Sequence, residues 1–165
     1  MSTTKKPKTK KEAPIRLAKI LVPVDFSEAS QKALSYGLAM ASQFSAELIL
    51  VHVVEPPFYP TELGYVPVEV ETLNRGIRAA AEKQIEKWTR QHVTGSDAPK
   101  TFVRVGHPYR EITQAAKELG ADLIVVSTHG YTGLKHVFLG STAERIVRHA
   151  GCPVLVVREK EEDFV

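Results

Sequence analysis

Five short runs of aliphatic, largely β-branched residues divide this chain, and segments of helical periodicity separate them. The runs are AKILVPVD (18–25), AELILVHVV (46–54), TFVRVG (101–106), ADLIVVS (121–127) and CPVLVVR (152–158). A short apolar run bounded by turn signals reads as a buried strand. Between them, Ala33, Leu34, Gly37, Leu38, Ala41 and Phe44 fall on one helical face. Val70, Leu73, Ile77, Ala81, Ile85 and Trp88 form a second such stripe, and Tyr109, Ile112, Ala116 and Leu119 a third. TAERIVRHA (142–150) supplies a fourth helix. Ser27 suits the N-cap of the first helix, because its hydroxyl can accept from the orphan first-turn amides. Pro108 suits the first turn of the third. Strands that alternate with amphipathic helices imply an α/β fold, a parallel sheet with helices on both faces. A length of 165 residues fits one domain.

Charge and cysteine usage narrow the setting. The first fourteen residues hold five lysines against one glutamate, a net +4, whereas the whole chain carries +3. The remainder is therefore close to neutral, so the basic balance belongs to the tail and implies no nucleic-acid face on the domain. The expected organisation is a disordered basic tail over 1–16, a domain over 17–159 and a charged tail over 160–165. Cys152 is the single cysteine and has no intrachain partner. A reducing, cytoplasmic setting is the simplest expectation, with Cys152 a small buried thiol. No stretch approaches the ~20 apolar residues of a membrane span, and MSTTKKPKTKKEAP lacks the apolar core of a secretory signal.

In an open doubly wound sheet, ligands bind beyond the carboxyl ends of the strands, where the strand order reverses. The first strand starts one half of such a sheet and the fourth starts the other. Their carboxyl ends carry PVD and STHGYTGLKHVFLGS (127–141), the two most chemically loaded ends in the chain. Gly130 can approach a phosphate closely or take positive φ. Gly140, Ser141 and Thr142 open a helix, whose N-terminal amides and dipole favour an anion. Asp25 is negative, so a ribose hydroxyl or an adenine amino group suits it better than phosphate. A nucleotide with adenine toward Asp25 and phosphates toward Gly140 follows. Plainer readings stand beside this. Ser141 or Thr142 serves equally as an N-cap, Gly130 as a turn, and Asp25 as a cap for the first helix. His52, inside a strand, reads as a satisfied core histidine, and His107 as structural. His129, in the glycine loop with Gly133, is open to ligand contact. The proline-rich EPPFYPTELGYVPVEV (55–70) reads as a surface loop or as a lid over the site. There is no Walker loop, no G-x-G-x-x-G after the first strand, no G-x-S-x-G elbow and no H-E-x-x-H. No dedicated general base for ATP hydrolysis can be identified.

KILVPVDFSEAS, LILVHVV, VRVGHPYREI, ADLIVVSTHG and LGSTAERIVRHAGCPVLVV together resemble the universal stress protein family in its single-domain form, from Lys19 to Arg158. The resemblance implies a five-stranded parallel sheet of order 3-2-1-4-5, Rossmann-like and close to the adenine nucleotide alpha hydrolases. The ATP-binding branch carries G-x-x-G, nine residues, then G-[ST]. This chain matches at Gly130, Gly140 and Ser141 and departs at the first position, where Ser127 replaces glycine. Serine fits there at negative φ; positive φ would cost on the order of 1–2 kcal/mol. The resemblance assigns adenine and ribose contacts to Pro23, Val24 and Asp25 and a backbone adenine contact to Val53. Thr142 joins the phosphate site, and Mg2+ rides on the phosphates. It also implies a homodimer through antiparallel pairing of the last strand, Pro153, Val154, Leu155, Val156 and Val157, and an exposed edge invites such pairing.

Two functions compete. One is an ATP-binding stress-response protein that signals through occupancy, with little or no turnover. The other is a nucleotide-independent dimeric interaction module, which the Ser127 departure favours. An adenylate-forming enzyme of related topology is opposed by the missing S-G-G-x-D-S loop after the first strand.

Overall fold

The computed structural model describes residues 14–56, 68–94, 98–128 and 139–158, with 68–74 in backbone only. Along the chain the elements are β1 (Lys19–Pro23), α1 (Glu28–Phe44), β2 (Glu47–Val54), α2 (Val68–His92), β3 (Lys100–Val105), α3 (Pro108–Leu119), β4 (Leu123–Ser127), α4 (Ser141–His149) and β5 (Val154–Val157). All strand pairs are parallel. The sheet order is β3-β2-β1-β4-β5, so the strand order reverses between β1 and β4. Both expectations, alternation and order, are met. The basic tail (apart from 14–16), the glycine loop 129–138, most of the proline-rich segment and the tail 160–165 lie outside the described residues.

The period-two alternation of the strands sorts the core into two layers. Ile20 and Val22 of β1 pack with Leu48 and Leu50 of β2, Val125 of β4, Leu34 of α1 and Ile85 and Trp88 of α2. Leu21, between them, faces the other way, with Ile49, Val51, Ile124, Val126, Ile112 of α3 and Ile146 of α4. Central β1 is covered on both faces, and Ile20, Leu21 and Val22 are fully buried. That explains why the strands read as unbroken apolar runs. Val70 and Leu73 fall outside the described side chains; Ala81, Ile85 and Trp88 are buried as the helical spacing predicts, and Ile77 is half-buried.

Element ends differ from the sequence expectation by one or two residues. β3 stops at Val105 because Gly106 leaves the strand at φ 151°. α2 begins at Val68, directly after Pro67, so the last three residues of the expected loop are helical. α4 begins one residue earlier than expected, at Ser141. β5 begins at Val154, although the Pro153 carbonyl still accepts from the Ile124 amide at 3.0 Å.

Two local features secure this frame. Gly37 sits in α1 against β1, and a Cβ there would lie 2.6 Å from Val22 Cγ2 and 3.3 Å from Leu48 Cδ1. At the amino end of β1, Asp122 Oδ2 accepts from the Ala18 amide at 2.7 Å and the Lys19 amide at 2.9 Å. Lys19 Nζ donates to the Leu119 carbonyl at the end of α3, where a cation is favoured by the helix dipole. The amides of Ala18 and Lys19 hold the Asp122 carboxyl below its ordinary range.

Gly37→Ala should be net destabilising. Val22 is branched and buried and has little room to yield, so overpacking outweighs the gain in helix propensity by ~1–2 kcal/mol. Thermal unfolding should show a Tm lower by several degrees. Asp122→Ala should lose stability in a pH-dependent way. A lowered native pKa stabilises fully above the unfolded value and is lost as pH falls, so the Tm gap to wild type should be full at neutral pH and shrink below about pH 4.

Candidate functional site

β1 and β2 pair along the whole of β1, from Lys19 to Pro23. β1 and β4 pair only at Ile20–Leu123 and Leu21–Ile124. Pro23 has no amide to donate, and beyond Leu21 the two strands separate. The gap is a cleft of about 300 Å³ at the carboxyl end of the sheet, on its α3/α4 face. Pro23, Val24 and Asp25 line one side, Val53 of β2 and Glu55 just after it extend it, and Ser127, Thr128, Gly140, Ser141 and Thr142 line the other. Val126, Ile112 and Ile146 make its apolar floor, and Pro108 stands at the rim.

The Asp25 side is built by a sharp turn. Asp25 Oδ1 accepts from the Ser27 amide at 3.1 Å and from Ser27 Oγ at 2.5 Å. Ser27 Oγ in turn accepts from the Ser30 amide at 3.1 Å, which makes Ser27 the N-cap of α1, as its sequence position predicts. Asp25 therefore orients the cap rather than being the cap. Phe26, between them, has φ 66°. A bulky aromatic rarely takes left-handed backbone, at a cost on the order of 1–2 kcal/mol.

The opposite side is a helix start. The N-cap of α4 is Gly140, φ −58° and ψ 147°, and it makes no side-chain cap bond among the described residues. Neither Ser141 nor Thr142 is the cap, which corrects the plainer reading of both. The first-turn amides of an α-helix have no intrahelical acceptor, and here they open on the cleft with the positive end of the helix dipole. The Gly140 amide donates to the Thr128 carbonyl at 2.8 Å, and the Thr128 amide to the Val157 carbonyl at 2.9 Å. These bonds bring the end of β4 against the start of α4, whatever path the intervening loop takes.

Ser127 is the last residue of β4, paired with Val157. The non-glycine residues with positive φ among those described are Phe26 and Ser45. Ser127 thus has negative φ, the condition under which serine fits this position. His129, Gly130 and Gly133 lie outside the described residues. His52 is half-buried, with Nδ1 2.8 Å from the Val24 carbonyl. His107 is the N-cap residue of α3 but makes no side-chain cap bond. Cys152 is half-buried, and burial first, then the Asp122 charge, raises its thiol pKa, away from reactive-cysteine chemistry. Glu55 was missed in the sequence reading. Its place just past the end of β2, the strand beside β1, is the signal that could have found it. Among the described residues no three His, Cys, Asp or Glu side chains gather as a metal site, and no helix is long and apolar enough to cross a membrane.

Comparison with known proteins agrees with this architecture. The family model described as the universal stress protein family matches residues 17–158. A universal stress protein of Methanocaldococcus jannaschii is 32% identical over 148 residues, covering 88% of this chain and 84% of that one. One of Thermus aquaticus is 36% identical over 139 residues, covering 84% and 97%. The solved universal stress protein UspA from Lactobacillus plantarum superposes with a TM-score of 0.72 at 31% identity, covering 88% of this chain and all of that one. With the reversed strand order, the cleft and these likenesses together, the chain belongs to the universal stress protein family.

Proposed function

We propose that this chain binds ATP in the β1/β4 cleft and acts in stress response through occupancy, with little or no turnover. One observation carries the reading: one cleft joins a carboxylate at one end to a helix N-terminus, capped by no side chain among the described residues, at the other. Asp25 suits a ribose hydroxyl or the adenine amino group, and Pro23, Val24 and Val53 supply the apolar and backbone wall for the base. Ser141, Thr142 and the first-turn amides of α4 suit the phosphates. Ser127, His129, Gly130 and Gly133 are assigned to the same nucleotide site. Mg2+ would accompany the phosphates, which are hard oxygen ligands of the kind this ion prefers. The domain is taken as 17–159 between two tails, in a cytoplasmic setting.

We further propose a homodimer through β5. β5 is an edge strand. The Pro153 and Val157 carbonyls bond inward to β4, so by alternation Val154 and Val156 direct their backbone groups outward. Such an edge is a template for a second chain. If no nucleotide binds, this edge supports the alternative of a nucleotide-independent interaction module.

Calorimetric titration with ATP and magnesium tests the first proposal. Asp25→Ala should weaken binding by roughly tenfold or more, the loss of a hydrogen bond to a charged group. Ser141→Asp should hold or raise Tm, because an acidic residue at a helix start is favoured, yet repel the phosphates and weaken ATP. Full-strength binding in both variants would reject this cleft as the ATP site, and no binding by wild type would move the function to the interaction module. Val156→Pro removes an outward amide that β4 does not use. Light scattering should find it monomeric with unchanged circular dichroism, and an unaltered mass would reject β5 as the interface.

A further inference from the structure

Asp25 is flanked by two residues that share one anchor. Val51 and Val53 of β2 line the cleft, so His52 between them points to the other face of the sheet. There its ring packs against Phe26, tilted by 40°, with centroids 4.4 Å apart. Phe26 in turn meets Trp88 of α2 edge-on at 6.0 Å. The same imidazole reaches the Val24 carbonyl through Nδ1 at 2.8 Å. A carbonyl only accepts, so Nδ1 carries the hydrogen and donates it. The Val24 amide donates to the Val51 carbonyl at 2.9 Å. Both peptide groups of Val24 are thus held by β2, and Phe26, at positive φ, packs against the same imidazole. Strained backbone persists only where its surroundings over-determine it, and it gathers at functional sites.

We infer that His52 is a positioning residue for the cleft: it holds the turn from Val24 to Phe26 in the shape that presents Asp25, without touching the ligand. The inference rests on the nucleotide reading above and adds to it a residue on the far face of the sheet. Because His52 acts through Asp25, its effect should be confined to the base-and-ribose end. The α4 end, reached by a bare polyphosphate, should not feel it.

The test compares two ligands on the full chain. His52→Phe keeps an aromatic ring against Phe26 but removes the donor. His52→Asn keeps a donor at the position of Nδ1. ATP and inorganic tripolyphosphate are titrated calorimetrically into each. His52→Phe should weaken ATP about tenfold and leave tripolyphosphate at wild-type affinity, and His52→Asn should recover most of the ATP loss. Equal weakening of both ligands would overturn the inference, because it would mean a general loosening of the fold. Wild-type ATP affinity in His52→Phe would also overturn it and leave the nucleotide reading standing. Asn behaving no better than Phe would reject the Val24 hydrogen bond as the cause. Failure of wild type to bind ATP would remove the nucleotide reading and this role together.

Discussion

Leu21 is the last residue of β1 that pairs with β4, and most of what matters in this molecule follows from that limit. A parallel sheet whose strand order reverses must send its two halves of connections to opposite faces. Beyond Leu21 the pairing of β1 with β4 stops, and the space between their carboxyl ends becomes the cleft. At the other end the same two strands are tied tightly, by Asp122 beneath the amides of Ala18 and Lys19 and by the Asp122 amide on the Lys19 carbonyl. The sheet is closed at its amino end and open at its carboxyl end.

The two faces of the sheet divide the work. The α3/α4 face carries the cleft, with an apolar floor that continues directly into the core layer of Ile112, Val126 and Ile146. The α1/α2 face carries the support: Val22 against Gly37, and the ring cluster of His52, Phe26 and Trp88 behind the turn. Alternation along β2 links them, since Val51, His52 and Val53 serve the front, the back and the front in turn. Close packing on the rear face is thereby coupled to geometry on the front.

Much of this was legible in the sequence. Long periodic segments announced each element, because burial on both faces leaves a strand apolar throughout and burial on one face leaves a helix striped. Ser27 was readable as a cap because its chemistry is local. The meeting of Asp25 with the start of α4 was readable because it follows from topology. Phe26 was not: a glycine would have signalled left-handed backbone, whereas an aromatic there depends on partners 26 and 62 residues away. Glu55 was not, because it sits beside prolines that drew attention to the loop. The choice of Gly140 over Ser141 as the N-cap of α4 was also hidden, since it depends on the bond from the Gly140 amide to Thr128.

Trp88 is the only tryptophan in the chain. It is buried, lies edge-on to Phe26 and stacks on His92 with ring centroids 4.5 Å apart. Its indole therefore occupies a defined place one ring behind the turn that bears Asp25. The protein carries a built-in optical probe there: intrinsic fluorescence excited near the red edge of indole absorption comes from this one ring and reads out its surroundings, the turn among them, with no label attached.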